Sequence, residues 1–367
     1  MSTTLPRPTK VTTPDEPARE TPAAILPRVS ARRPILVAVV ALIGAMVVGV
    51  SVGPADISLP TVFSALAGHL PFIHYHSHTS AIDWDVIWQI RLPGVVLGGL
   101  VGAMLAGGGA AYQGVFRNPL ADPYLLGVAA GAGLGATLVI VEGSGSNVST
   151  FLPFAAFAGA VVAVAMTYLV GTTSGRRAST ASIVLAGVAV AALLTAIQTY
   201  LQQQHEPDLQ GVYAWILGSL GTASWADVRL ILPYVTLSAV VLLLHRRLLD
   251  VLRVGEEEAG ALGINAARVR LIVVAAATLG TAAAVSVSGL IGFVGIIVPH
   301  TVRLLSNASY RVVLPVSMIG GAAFLILADV VALNLQAPAQ IPIGVVTAFV
   351  GAPFFLFLLR SRRTGVL

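Results

Sequence analysis

Ten runs of apolar residues, each about twenty long and nearly free of charge, constrain this chain more than any other feature. They fall at 34–52, 91–111, 122–141, 153–171, 180–202, 228–245, 268–287, 289–304, 312–333 and 341–359. The hydrocarbon layer of a bilayer is about 30 Å thick, and a helix rising about 1.5 Å per residue needs about twenty apolar residues to cross it. One such run suits a buried core helix; ten in series do not. Composition closes the water-soluble alternative. Charged residues are 10% of the chain and hydrophobic residues 56%, whereas soluble domains carry about 25% charged. The expected fold is an all-α polytopic membrane protein with ten transmembrane helices over residues 34–363. The eighth run is the shortest, and only Ser288 and Gly289 separate it from the seventh.

Residues 1–33 are rich in Pro, Thr and Arg and poor in large apolar residues. They cannot bury enough surface to fold, so we read them as a disordered tail; residues 364–367 form a short C-terminal tail. A signal peptide fits poorly, because the first apolar run starts only at Pro34 and no small-residue cleavage site follows it closely. With no cysteine in the chain, disulfides and thiolate metal sites are excluded. Of the 21 Lys and Arg, alternating loops place all but Arg91 and Arg229 on the side that holds both termini. That asymmetry makes both termini cytoplasmic, and it explains the net charge of +5 without invoking nucleic acid. The four tryptophans agree: Trp84 and Trp88 precede the second run, and Trp215 and Trp225 precede the sixth, both at the outer interface that indole rings favour. Gly98, Gly102 and Gly107, then Gly127, Gly131 and Gly135, put small residues on one helix face, the pattern that lets membrane helices approach closely.

Several stretches are more specific. Arg91-Leu-Pro opens the second run, and Gln113-Gly-Val-Phe-Arg-Asn-Pro-Leu-Ala-Asp-Pro links the second to the third. Leu185-Ala-Gly-Val-Ala lies in the fifth. Gly289-Leu-Ile-Gly-Phe-Val-Gly-Ile-Ile-Val-Pro-His300 forms the eighth, with Arg303 after it. Ala328-Asp329 sits late in the ninth, Pro342-Ile-Gly-Val-Val-Thr opens the tenth, and Gly351-Ala-Pro353 follows. In this order, over about 34–363, they resemble the FecCD-type permeases, the membrane subunits of binding-protein-dependent ABC importers for ferric siderophores, haem and vitamin B12.

The resemblance implies ten helices per subunit and a homo- or heterodimer of permease subunits in the bacterial inner membrane. It also implies two cytoplasmic ATP-binding subunits and an extracytoplasmic substrate-binding protein. By resemblance, the loop after the sixth run docks into the ATPase, with Gly255, Glu256, Glu257, Ala259, Leu262 and Gly263 as coupling residues. An Ala/Leu face beside acids suits such a groove. ATP and Mg are expected on the partner alone. A phosphate-binding loop needs a lysine, and the single lysine, Lys10, lies in the tail. No cofactor and no metal are expected in this chain. Ser179 and Thr180 match a Ser/Thr turn that narrows the inner mouth of the family's B12 importer; they are equally good helix N-caps. Ala181 replaces a hydroxyl residue there. Arg91 matches an outer-face arginine that docks the binding protein, and Arg229 is a second candidate. Gly94 and Leu333 replace two further arginines of that interface.

Other readings come from the residues themselves. Thr195, Gln198, Thr199 and Gln202 recur at spacings of three and four, so they share one helix face and are candidates to line the translocation path. Asp329 is deep in the ninth run, where a carboxylate needs a partner or water; we read it as a hydrogen-bond anchor rather than a proton relay. His69, His74, His76 and His78 crowd the first outer loop, which we read as a solvated polar loop rather than a metal site. The leading function is an importer permease, with ferric siderophore ahead of haem or cobalamin as cargo. An ion-coupled secondary transporter should show paired intramembrane ionisable residues and an internal repeat, and neither is evident. An intramembrane enzyme lacks a nucleophile–base pair and any H-E-x-x-H.

Overall fold

Each of the ten apolar runs becomes a helix in the computed structural model, as lipid requires: with no water to bond to, the backbone must satisfy its own N–H and C=O groups. The structure describes residues 32–55, 57–67, 80–143, 148–173, 180–306 and 309–363, all within one unit, Ala31–Leu367. Its helices are α1 (Arg32–Ser51), α2 (Leu59–Ala67), α3 (Ala81–Asp85), α4 (Leu92–Val115), α5 (Val128–Glu142), α6 (Val148–Thr173) and α7 (Thr180–Gln204). There follow α8 (Leu209–Ile216), α9 (Trp225–Val254), α10 (Glu256–Ala261), α11 (Ala266–Ser288), α12 (Val294–Leu305), α13 (Tyr310–Asn334) and α14 (Ile343–Arg363). A π-helical turn, Val86–Arg91, joins α3 to α4. Pro93 lacks the N–H that would bond back one turn, so a local register change is expected there.

By length and composition, seven helices are able to cross a membrane: α1, the continuous 81–115 stretch, α6, α7, α9, α11 and α13. Three shorter apolar stretches, α5, α12 and Ile343–Phe357 within α14, correspond to the remaining runs. Two of the three are short because the chain is broken where a full helix was expected. Pro123–Leu126 form a 3-10 turn before α5, and residues 289–293 are non-helical before α12.

Inner and outer helices separate cleanly. The most apolar window of 81–115 is 78% buried, that of α11 72% and that of α13 61%, against 22% for α1 and α6, 28% for α9 and 33% for α7. Accordingly α4 packs on α13, α11, α9 and α12, while α5 pairs with α6 and α7, and α1 lies along α13. Small residues permit these contacts. A Cβ on Gly102 would lie 2.2 Å from the carbonyl oxygen of Gly321, and one on Gly131 2.2 Å from that of Gly159. The α4–α13 and α5–α6 crossings are thus backbone against backbone, without a hydrophobic drive to replace them in lipid.

The two breaks meet each other. Asp122 caps the 3-10 turn by accepting from the Tyr124 N–H at 2.8 Å. The Tyr124 hydroxyl then donates to the Ile291 carbonyl at 3.0 Å and accepts from the Ile291 N–H at 3.1 Å. Gly289 and Phe293 bracket the second break with φ of 69° and 68°; the latter is a conformation that a bulky residue seldom adopts. Irregular backbone of this kind is tolerated in a membrane protein only when buried in protein or lining a cavity.

The structure moves several boundaries. α1 starts at Arg32, two residues before the first run was expected to begin. α9 continues to Val254 as a thirty-residue helix, so most of the charged loop after the sixth run is helical. The 1–31 part of the tail, His69, His74, His76 and His78, Ser179 and residues 364–367 lie outside the described residues.

Candidate functional site

At the far end of α9 the chain stops, turns and restarts within twelve residues. Gly263, at φ 75°, closes α10. The Ile264 N–H returns to the Ala259 carbonyl at 2.9 Å, a Schellman-type stop that favours glycine. Asn265 then caps α11 by accepting from the Arg268 N–H at 3.0 Å. Ahead of these two signals α10 exposes Glu257 and Glu258, and Leu262 at its C-terminal cap is 69% exposed. Ala259 is fully buried in the main core cluster with Leu249 and Leu252 of α9. The expected Ala/Leu docking face is therefore corrected. Ala259 holds α10 to α9, and Leu262 with the acids is the part presented outward.

Four residues before α9 ends, Asp250 grips the start of α13. Its carboxylate accepts from the Tyr310 N–H at 2.6 Å and from the Ser309 hydroxyl at 2.7 Å, and it lies 3.6 Å from the Arg311 guanidinium. Tyr310 is buried, with its ring against Gly114 of α4. Its hydroxyl accepts from Arg303 of α12 at 3.2 Å, and the Arg303 guanidinium also sits 5.6 Å from its ring centroid. Arg303 donates in turn to Gln113 Oε1 at 2.5 Å, and Gln113 Nε2 donates to the carbonyls of Gly295 and Ala121 at 3.0 and 3.3 Å. Five helix ends are tied by this one network.

At the opposite end of the bundle, Trp84 and Trp88 stack with ring centroids 5.8 Å apart, and Trp225 lies 5.8 Å from Trp88. The Trp225 indole N–H donates to the Trp88 carbonyl at 2.8 Å. Three of the four tryptophans thus meet, so residues 84–91 and the start of α9 are at one end. Arg229 is exposed there, its Nε donating to the Trp225 carbonyl at 3.2 Å. Arg91 is not available for docking. It is only 8% exposed, and its guanidinium donates to the carbonyls of Val50 at 2.9 Å, Ser51 at 2.8 Å and Ala55. The Val50 and Ser51 carbonyls are orphan acceptors at the C-terminus of α1, and Ala55 lies in the bend just beyond it, so Arg91 caps a helix.

Asp329 of α13 is 8% exposed and lines a cavity of about 240 Å³ with Arg91, Gly94, Gln340 and Leu333. Among the described residues it has no hydrogen-bond partner or ion pair, so it is not the anchor expected from the sequence. On α7 the polar face divides. Gln198 is buried and donates to Thr137 of α5 at 3.1 Å, whereas Thr195 and Thr199 are exposed and Gln202 is half-buried. Thr180 is the first residue of α7.

Residues 39–361 match the model of the FecCD transport family. The chain belongs to that family. Among curated FecCD relatives, the cobalamin import system permease of Halobacterium salinarum is 39% identical, over 89% of this chain and 96% of its own. The Fe(3+)-citrate import system permease of Bacillus subtilis is 35% identical, over 89% and 94%. The hemin transport system permease of Yersinia pestis is 38% identical, over 79% and 89%. A solved structure of a metal-chelate type ABC transporter in an inward-facing conformation superposes with a TM-score of 0.77, at 29% identity over 90% of this chain and 99% of that one.

Within this FecCD protein, sequence reasoning located Gln113 and Arg303 inside motifs but assigned them no role. It missed Asp250, Ser309 and Tyr310. Asp250 offered one signal: it is the only acid in the thirty residues of α9 beyond the N-terminal Asp227, on a side of the bundle otherwise rich in arginine.

Proposed function

We propose that this multi-pass FecCD protein is the membrane permease subunit of a binding-protein-dependent ABC importer for a metal chelate. The family match across 39–361 carries this reading. Seven long apolar helices together with α5, α12 and α14 support ten crossings, and the arginine asymmetry supports cytoplasmic termini in a bacterial inner membrane. Gly255, Glu256, Glu257, Leu262 and Gly263 dock the ATP-binding subunit, which binds ATP and Mg. Arg229 meets the extracytoplasmic binding protein. Thr195 and Thr199 lie on the exposed side of α7, with the half-buried Gln202 beyond them, the side on which a second permease copy would enclose a path, with Ser179 and Thr180 at its inner mouth. The cargo is a ferric siderophore. Cobalamin is the second reading, favoured by the 39% identity to a cobalamin permease.

Growth of a deletion strain on a panel of ferric siderophores, haem and cobalamin, with complementation by the intact gene, tests the cargo. A defect confined to cobalamin overturns the siderophore assignment, and no defect on any chelate overturns the importer. Because the chain has no cysteine, single-cysteine labelling tests orientation directly. Leu262→Cys should react with membrane-impermeant maleimide only in inverted vesicles, and Arg229→Cys only in intact cells.

A further inference from the structure

The hydrogen-bonded network at the α10 end spans α9, α13, α12 and α4. It starts on the element that carries the docking segment and finishes on the two broken stretches deep in the bundle. Asp250 lies on the last turns of α9, against which α10 is packed by Ala259. From Asp250 the contacts pass to Tyr310 at the start of α13, to Arg303 near the end of α12, and to Gln113 near the end of α4. Gln113 then bonds to Gly295, just beyond the break that opens α12, and to Ala121, just before the 3-10 turn. Those two breaks are themselves pinned together by Tyr124 and Ile291. A displacement of α10 therefore passes first through apolar packing on α9 and then along hydrogen bonds to two stretches of irregular backbone inside the inner helix group.

The packing runs parallel to this route. A Cβ on Gly114 would lie 3.0 Å from the Tyr310 ring and 3.2 Å from Leu249, so α4, α9 and α13 close on one point with no slack. Within a membrane protein such a node resists independent sliding of its helices, because each polar member left alone would be unsatisfied. Arg303 has no carboxylate partner among the described residues. It is held by a neutral amide, a hydroxyl and an aromatic face, contacts that can be exchanged without stranding a second buried charge.

We propose that Asp250, Tyr310, Arg303 and Gln113 are positioning residues that transmit movement of the 255–263 segment to the broken stretches around Ala121 and Gly295. This inference rests on the coupling assignment made above, and it adds the route by which the coupling segment acts. Spatial continuity alone does not establish such a route; energetic coupling between its members does.

The test uses the permease assembled with its ATP-binding subunit in proteoliposomes, reading cargo moved per ATP hydrolysed. Tyr310→Phe deletes one hydroxyl and keeps the ring against Gly114; Arg303→Gln deletes the charge. Each should lower the transport-to-hydrolysis ratio by about threefold or more, the size expected for one buried hydrogen bond. The double variant should be no worse than the more severe single one, because both break the same link. An unchanged ratio in Tyr310→Phe, or losses that multiply in the double variant, overturns the relay. A fall in ratio accompanied by an equal fall in the yield of intact complex also overturns it, since that is a scaffold's behaviour. Glu257→Lys runs alongside as the docking control. If it uncouples while Tyr310→Phe does not, the relay fails and docking stands; if it also leaves the ratio unchanged, the docking assignment itself fails.

Discussion

Arg91→Met is the most informative single change at the outer end, because sequence and structure assign Arg91 different work. Methionine keeps much of the length and apolar stem of arginine but removes every donor. Three acceptors lose their partner: the carbonyls of Val50, Ser51 and Ala55. Ala55 borders the 240 Å³ cavity, where water can replace the guanidinium, so its share is discounted. Val50 is 4% exposed, and Ser51 stands beside it at the end of α1. Two charge-assisted bonds at about 1.5 kcal/mol each give a destabilisation of about 3 kcal/mol, and the favourable interaction of a cation with a helix C-terminus adds about 0.5 kcal/mol. The assay is thermal unfolding of the detergent-solubilised protein followed by tryptophan fluorescence, paired with a binding-protein association measurement. We expect a clear fall in the unfolding midpoint and, in the surviving folded fraction, normal association. An unchanged midpoint with lost association would refute the capping argument and return Arg91 to the docking surface. Arg91→Lys should fall between the two, since an ammonium keeps the charge but cannot fork to several carbonyls.

Three further outcomes are expected. Gly102→Val places a branched side chain where a Cβ already meets Gly321 oxygen at 2.2 Å; α4 and α13 must separate, and the yield of monodisperse protein on size exclusion should collapse, whereas the same change at Gly44, where a Cβ meets nothing within 4 Å, should be neutral. Ala259→Arg buries a charge in the core and should lose folded protein in a detergent-extraction assay, while Leu262→Arg, on an exposed residue, should keep the fold and reduce ATPase docking measured by co-purification. Gln198→Leu removes the bond to Thr137 and should cost about 1 kcal/mol of stability with little effect on transport, in contrast to bulky replacements of Thr195 or Thr199, which should slow cargo flux with stability intact.

Much of this protein was legible from composition and charge because lipid imposes so few options on a backbone. Apolar length marked the seven helices long enough to cross a membrane, and glycine spacing marked the close faces of α4 and α5 that meet α13 and α6. Other features needed coordinates. Asp122–Leu126 and 289–293 read as helix because they are apolar, and their breakage follows from partners distant in sequence: Tyr124 meeting Ile291, Asp122 capping its own turn. The short α10 was visible as a charged stretch, but which of its residues face outward depends on its rotation against α9. A six-residue helix is too short for periodicity to decide that.

Hydropathy by itself determined that this chain is a bundle of membrane helices, since a segment's affinity for lipid is nearly a sum over its own residues. Tertiary structure alone decided what the polar residues do. A hydrogen bond depends on which atom stands within about 3 Å, and for Arg91, Gln198 and Asp250 those atoms lie 41, 61 and 60 residues away in the chain.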